Sequence, residues 1–541
     1  MGYSGAVPGA GPAKGKTAVA NDPISFPAAA VAGREIELKL HADPQHLARL
    51  AQHPGLLAMA DGPPVVWRQT TTYYDTPDLR LAGRGVALRV RLDDDGRAVQ
   101  TIKTLNCVAA GDTAAVAVRR EWDWPLRDDN PDLSLLAVTG VDQLVPADAL
   151  PELRPIFATE IRRTVLVVRP DAQTTIEVAF DVGVVRNGGR QHPISEIELE
   201  LRSGKVGPLF DLALELQAIA PLRIAGESKA EAGYRLVTGR PAEPASSEPV
   251  ALSPATTVAE AFRHIVRHCL RQLLQNEDCA LMALAEPPAG DIAAVRYIRH
   301  ALRRLRHGLV LFGPMIASPA AAGFADQCRT LGRRLRPARD WSIVGAVLRQ
   351  AGIALPDDAP VPGAASDDAR EAAARARAAI VAPEFTGLVL ACGGWLEHER
   401  WCEEADDALR RQLTQPIADF AGPWLEELYR RLRKAGFERG DAEDLQRLRR
   451  RLRQLSYAAE GLRSLYPPAQ VRPFMAALIE LRTLVDDTDD LRRCRELLKE
   501  AGVRFDHARE AALERAWREG LGRLPEDWRR FRQVEIFWKR G

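Results

Sequence analysis

Near residue 240 the period of the apolar residues changes, and this change divides the chain into two differently built parts. Before it, short segments alternate apolar and polar side chains, the period-two mark of β-strands. TTYYDT, GVALRVRLD, AVQTIKTL, AVAVRREWDW, RTVLVVRP, TTIEVAFDVGVV and SEIELELRSG all do so, separated by Gly, Asp or Pro turns. GKVGPLFDLALELQAIA (204–220) has helical spacing instead. The first half is therefore expected to be α+β, an antiparallel sheet or barrel with a few peripheral helices. After the change, AEAFRHIVRHCLRQLLQ, IAAVRYIRHALRRLRHGLVLF, PWLEELYRRLRKA and DLQRLRRRLRQLSYAAEGL repeat apolar residues at about 3.6, which predicts an all-α second half. The stretch between, GRPAEPASSEPVALSPATT, is dense in Pro, Ala and Ser and reads as a linker. The expected organisation is a disordered tail (1–32), a sheet domain (33–238), a linker (239–257) and a helical domain (258–535).

With 541 residues the chain is too long for one core. A net charge of +1 gives no global bias toward nucleic acid or membrane, so any polyanion site must come from local segregation of charge. The seven cysteines are scattered, with no CxxC pair, which argues against a disulfide framework or thiolate zinc and for reduced thiols in a cytoplasmic protein. No uninterrupted apolar run of about 18 residues occurs, so no membrane partner is expected.

The charges of the first half share one strand parity. In REIELKLHA, Glu35, Glu37 and Lys39 lie on one face and Ile36, Leu38 and Leu40 on the other. SEIELELRSG places Glu196, Glu198 and Glu200 together. Arg89 and Arg91, Lys103, the run Arg119, Glu121 and Asp123, and the pair Glu177 and Asp181 alternate in the same way. Inside one barrel of roughly eight strands these residues line a lumen with both signs of charge. Crowded carboxylates repel unless cations intervene, and an all-oxygen donor set suits Mg2+ or Mn2+ rather than zinc. Arg and Lys suit phosphate oxygens. A solvent-washed face with cross-strand salt bridges is the competing reading, but that face would use more Ser, Thr and Gln.

REIELKL resembles the E-x-E-x-K signature of the CYTH superfamily, the triphosphate tunnel metalloenzymes. YYDTPDLRLAGRGVALRVR, TIKT, RREWDW, FDVG, SEIELEL and ESKAEAGYRL follow in that family's order. The resemblance implies a β-barrel tunnel acting on a triphosphate with a divalent metal. It implies Glu35, Glu37, Glu198 and Glu200 as metal-linked carboxylates, and Lys39, Arg89, Arg91, Lys103, Arg163 and Lys229 as phosphate-binding cations. Glu37, Glu200 and Lys39 become the catalytic candidates, with Glu121, Asp181 and Glu196 as further tunnel residues. The expected reaction is hydrolysis of inorganic triphosphate by a metal-activated water. The alternatives are a non-catalytic polyphosphate-binding or targeting protein, and a hydrolase or cyclase directed at nucleoside triphosphates.

In the second half, Arg296, Arg299, Arg303 and Arg306 share one helix face. A faint repeat at an offset of 150 residues aligns Arg299 and Arg303 with Arg449 and Arg453, and Asp340 with Asp490, and predicts that the all-α half consists of two related helical bundles. Stacked arginines call for an anion between them, and a linear polyphosphate fits; nucleic acid is disfavoured because no aromatics interleave for stacking. A solvated face balanced by neighbouring acids is the alternative. RYIRHALRRLR and LQRLRRRLRQLSY resemble the CHAD domain, a helical module associated with polyphosphate. Arg296 and Gln446 stand where that family has histidine, and Ser456 where it has arginine.

Overall fold

The structure, a computed structural model, describes residues 33–104, 116–135, 147–285, 292–316, 318–353, 366–403, 405–435, 441–503 and 505–539; the expected tail lies outside them. Nine strands form one antiparallel sheet: β1 (Gly33–His41), β2 (Val65–Asp75), β3 (Val86–Asp93), β4 (Ala98–Thr104), β5 (Ala117–Leu126), β6 (Arg154–Val168), β7 (Thr175–Asn187), β8 (Arg190–Ser203) and β9 (Arg223–Ile224). The order is β5-β4-β3-β2-β6-β7-β8-β1-β9, and β1 also pairs with β5. That last pairing, Glu35 opposite Arg119, closes an eight-stranded barrel with β9 as an outer addition to β1. The helices α1 (Pro44–Ala51), α2 (Pro54–Ala58), α3 (Gly207–Ile219) and α4 (Lys229–Thr238) decorate it.

The barrel is polar inside and apolar outside, so its outer wall needs cover. Leu38, Leu40, Val178, Phe180, Ile197 and Leu199 on β1, β7 and β8 are buried in one cluster with Leu47 and Leu50 of α1 and Leu209 and Leu212 of α3. On the opposite wall Tyr74, Leu88, Val90, Ile102 and Trp124 form a second cluster. Inside the barrel, Tyr73, Phe157, Ile161, Val185 and Ile194 pack as an apolar layer against Ala230 and Tyr234 of α4. Tyr73 stacks on Phe157 at 4.4 Å, and Tyr234 meets Phe157 edge-on at 5.3 Å. Gly233 lets α4 approach this layer, because a Cβ there would fall 2.0 Å from the Phe157 ring.

The helical region contains α5 (Val258–Gln275), α6 (Glu277–Ala285), α7 (Ala293–Leu311), α8 (Gly313–Ile316), α9 (Pro319–Arg334), α10 (Arg336–Gln350), α11 (Asp367–Val381), α12 (Pro383–Glu397), α13 (Asp407–Leu413), α14 (Ala418–Ala435), α15 (Ala442–Leu462), α16 (Pro468–Glu500) and α17 (His507–Gln533). Asp367–Glu397 has mean hydropathy 1.5 over its most apolar window, but 67% of that window is buried. Extended Ala382, followed by Pro383, breaks it into α11 and α12, two core helices.

The two regions share one apolar cluster. Phe210 of α3 seats on α12 at Gly393, where a Cβ would approach its ring to 2.4 Å, and His398 Nε2 lies 2.7 Å from Asp211 Oδ2. Residues 239–257 contain no helix or strand. They are nonetheless fastened to the helical region. Ala245 N–H donates to Asn276 Oδ1 at 3.0 Å, Leu252 N–H donates to Ser464 Oγ at 2.9 Å, and Val250 and Leu252 are buried. The six described cysteines are free thiols.

Candidate functional site

Strand register decides which charged residues meet. Across β1 and β8, Glu37 lies opposite Glu200, Lys39 opposite Glu198 and His41 opposite Glu196. Across β7 and β8, Glu177 faces Glu200 and Asp181 faces Glu196, while Arg163 on β6 faces Asp181. On the other side Lys103 pairs with Glu121 and with Ala87, and Arg89 with Thr101. Because side chains alternate strictly, each of these rows points to the same interior. Glu35, Glu37, Lys39, Arg89, Arg91, Lys103, Arg163, Glu198 and Glu200 all enter the lumen, and α4 adds Lys229 at its first turn.

The carboxylates separate into two groups. Beside the apolar layer, Asp181, Glu196 and Glu198 have oxygens within 4.8 Å of one another. Lys229, itself buried, holds them together: its Nζ is 2.7 Å from Asp181 and 2.8 Å from Glu198, and it also pairs with Glu196. Arg163 grips Asp181 through two bonds of 2.8 and 2.6 Å and reaches Glu198 at 2.6 Å, and Lys39 reaches Glu198 at 2.5 Å. Burial alone would raise the Glu198 carboxyl, but Lys229, Lys39 and Arg163 hold it well below the ordinary carboxylate range. Asp181 is lowered in the same way by Arg163 and Lys229 against its burial.

At the other end stand Glu35, Glu37, Glu177 and Glu200. Burial, with repulsion from Glu35, Glu177 and Glu37, pushes Glu200 up to about 8, although Arg202 donates to it at 2.6 Å. Arg202 also reaches Glu177 at 2.7 Å. Glu37 accepts from Arg119 at 2.8 Å and lies 3.6 Å from Lys39, and Lys103 pairs with Glu35. Side-chain exposure falls from 44% at Arg202 and 21% at Glu200 to 0% at Asp181, so the lumen opens on the Glu200 side. The expected metal quartet is divided by its ion pairs: Glu200 is held by Arg202 at the open end, Glu35 by Lys103, the buried Glu37 by Arg119, and Glu198 by Lys39, Arg163 and Lys229.

Among the lumen cations, Arg91 is the least neutralised. Among the described residues its one ion pair is with Asp93 at 3.4 Å, and burial with neighbouring Arg89 and Arg163 lowers its pKa. Arg89 donates to Glu121 at 2.9 Å, while the Nε atoms of Arg89 and Arg91 are buried without a hydrogen-bond partner. Among the described residues, the one group of three carboxylates close enough to share an ion is Asp181, Glu196 and Glu198, which Lys229 already occupies. Glu35, Glu37 and Glu200 offer oxygen donors of the kind that suits a hard divalent cation. The lumen arginines and lysines beside them fit phosphate oxygens.

Arg119 and Arg202 enter this site without a sequence-based role. Arg119 has the right parity, but its meeting with Glu37 follows from barrel closure. Arg202 continues the row of Glu196, Glu198 and Glu200 at the strand's end, and its meeting with Glu177 follows from the pairing of β7 with β8.

The helical region holds a cavity of about 370 Å³ whose lining includes Arg296, Arg299, Arg303, Arg339, Arg449, Arg453 and Arg482, with Asp340, Asp486, Asp489 and Asp490. Arg306 does not line it. Arg449 and Arg453 each donate to Asp486 at 2.6 Å, and Gln446 donates to Asp489. Arg339 grips Asp490 through bonds of 2.7 and 2.6 Å. Ser456 accepts from Arg482 at 2.6 Å, so Arg482 supplies a guanidinium beside the position that lacks one. Burial and the surrounding arginines hold His300 down to about 3, a neutral ring at physiological pH.

A closed antiparallel barrel lined with acid and base, joined to an arginine-lined helical module, defines a charged-tunnel protein with a second cationic cavity. Residues 33–234 match the CYTH domain and residues 264–499 the CHAD domain; the chain carries a CYTH domain followed by a CHAD domain. It is similar to an inorganic triphosphatase of Haemophilus influenzae, 36% identical over 205 residues, a stretch covering 38% of this chain and 55% of that relative's length. A crystal structure of the CHAD domain from the plant Ricinus communis aligns with 54% of this chain and 98% of its own at 23% identity and a TM-score of 0.44. A Hippeastrum protein, described as an adenylyl cyclase with a dominant triphosphatase activity, aligns with 38% of this chain and 97% of its own at 22% identity and a TM-score of 0.28.

Proposed function

We propose that the tunnel hydrolyses inorganic triphosphate with Mg2+ or Mn2+, and that the helical cavity binds phosphate chains. The observation that carries this reading is the convergence of acidic and basic rows from seven of the eight barrel strands on one lumen, where Glu35, Glu37, Glu177 and Glu200 gather toward one end. The triphosphatase relative supports the same chemistry. Glu35, Glu37 and Glu200 would hold the cation. When bound there, it neutralises phosphate charge and acidifies a coordinated water. Arg89, Arg91, Lys103 and Lys39 bind the phosphate oxygens by exchanging carboxylate partners for phosphate, which keeps them paired throughout. Arg163 and Lys229 remain anchored by Asp181, Glu196 and Glu198, so their N–H donors stay at fixed places at the inner end, ready to meet phosphate oxygens. Glu37 and Glu200, once ionised beside a bound cation, can each accept the proton of the attacking water.

The test is phosphate release from triphosphate, long-chain polyphosphate, ATP and thiamine triphosphate, with each metal and with chelator. Inorganic triphosphate with Mg2+ or Mn2+ should be turned over fastest, and Glu37→Gln and Glu200→Gln should each remove more than about 99% of that turnover. Turnover that survives chelation, or that persists in both variants, would refute the assignment.

A further inference from the structure

The helical cavity follows the 150-residue repeat, and its two halves differ in sign. Arg299 and Arg303 on α7 correspond to Arg449 and Arg453 on α15, so both halves carry the same cations on these helices. The facing helices do not match. Arg336 and Arg339 begin α10, and the equivalent places on α16 are Asp486 and Asp489. In the second half, Asp486 accepts from both Arg449 and Arg453, and Asp489 pairs with Arg449. These aspartates already occupy the place of a bound anion. In the first half, Arg299 is only 6% exposed and its Nε has no hydrogen-bond partner. Among the described residues no carboxylate forms an ion pair with Arg299 or Arg303; Asp340 stands near Arg299 and Asp486 near Arg303, but Asp340 pairs with Arg336, Arg339 and Arg493, and Asp486 with Arg449 and Arg453. Buried like charges without a counter-ion are costly, so this wall is the one left needing an anion.

We propose that the anion seat of the cavity is confined to the first-repeat wall, on Arg299 and Arg303, and that Asp486 and Asp489 are built-in competitors that keep ligand off the second-repeat arginines. The inference rests on the reading that this cavity takes phosphate chains, and it deepens that reading to a preference. A short phosphoanion such as tripolyphosphate fills the seat, and a longer chain gains no further contact because it would meet two carboxylates.

The test is calorimetric titration of tripolyphosphate and long-chain polyphosphate into the full chain, as wild type, Arg303→Gln and Asp486→Asn. The tunnel's contribution is common to all three proteins, and phosphate release with Mn2+ should be the same in each. In the wild type, the cavity should bind both chains with equal affinity once the long chain's affinity is divided by its number of three-phosphate registers. Arg303→Gln should weaken cavity binding roughly tenfold or more, and Asp486→Asn should strengthen it roughly tenfold and make the long chain bind more tightly than tripolyphosphate. Melting curves report folding, and Asp489→Asn carries the same expectation should Asp486→Asn not fold. Wild-type cavity binding that Asp486→Asn leaves unchanged or weakens overturns the asymmetry alone. Absence of any binding beyond the tunnel overturns the underlying reading and the asymmetry with it.

Discussion

Replacing Lys229 by methionine tests the inner end of the tunnel directly. The lysine is 9% exposed and touches Asp181, Glu196 and Glu198, whose oxygens lie within 4.8 Å of one another. Methionine keeps most of the side chain's apolar stem, ends one atom short of the ammonium and removes its charge. Two unit charges at that separation repel by about 3.5 kcal/mol at an effective dielectric of 20, and breaking a buried ion pair typically costs about 3–5 kcal/mol. Arg163 and Lys39 remain and compensate in part, so a loss of about 3 kcal/mol is expected. For a domain of this size, that lowers the melting temperature by about 6–12 °C.

The pH dependence should also change sign. In the wild type, Asp181 and Glu198 have folded-state pKa values below their unfolded ones. Their contribution is therefore present above the unfolded carboxylate range and is lost as pH falls through the folded values. Without Lys229, burial and mutual repulsion raise at least one of the three carboxyls. The folded state then holds a proton that the unfolded state releases, so the variant gains stability as pH drops from 7 toward 5. Urea unfolding at pH 5 and pH 7.5, with thermal melts beside it, reads both effects. A melting temperature within about 2 °C of wild type, with an unchanged pH trend, would show that Lys229 is not the keystone cation of that cluster.

Other outcomes follow from single contacts. Gly233→Ala puts a Cβ against the Phe157 ring, so α4 must withdraw; a melting temperature several degrees lower and reduced triphosphate turnover are expected, because Lys229 moves with the helix. Glu277 on α6 is 2% exposed and accepts from Arg223 of β9 at 3.0 Å, yet burial and neighbouring Asp278 push it up to about 8. Between about 4.5 and 8 the folded state keeps a proton that the unfolded chain has released, so stability declines as pH rises across that window. Glu277→Gln should flatten that decline, as read from urea midpoints at pH 5 and 8; parallel wild-type and variant profiles would contradict it.

What the sequence determined by itself is local in origin. Strand parity is a property of the backbone, so the shared face of Glu35, Glu37 and Lys39, or of Glu196, Glu198 and Glu200, could be read without knowing any partner. The change of period near residue 240 announced the two architectures, and the 150-residue offset announced the doubled helical unit. Partnership was different. Lys229 reaches its three acids only because α4 packs on the apolar layer of Tyr73 and Phe157, and Arg119 meets Glu37 only because β5 closes on β1. The division of the four expected metal carboxylates depends on which cation reaches each of them. In the helical cavity the sequence offered neighbouring acids as an alternative balance for the arginine face, but only the packing of α16 against α15 decided that Asp486 and Asp489 meet Arg449 and Arg453. Electrostatic partners are chosen by distances of a few ångströms between segments tens or hundreds of residues apart, and only the folded chain sets those distances.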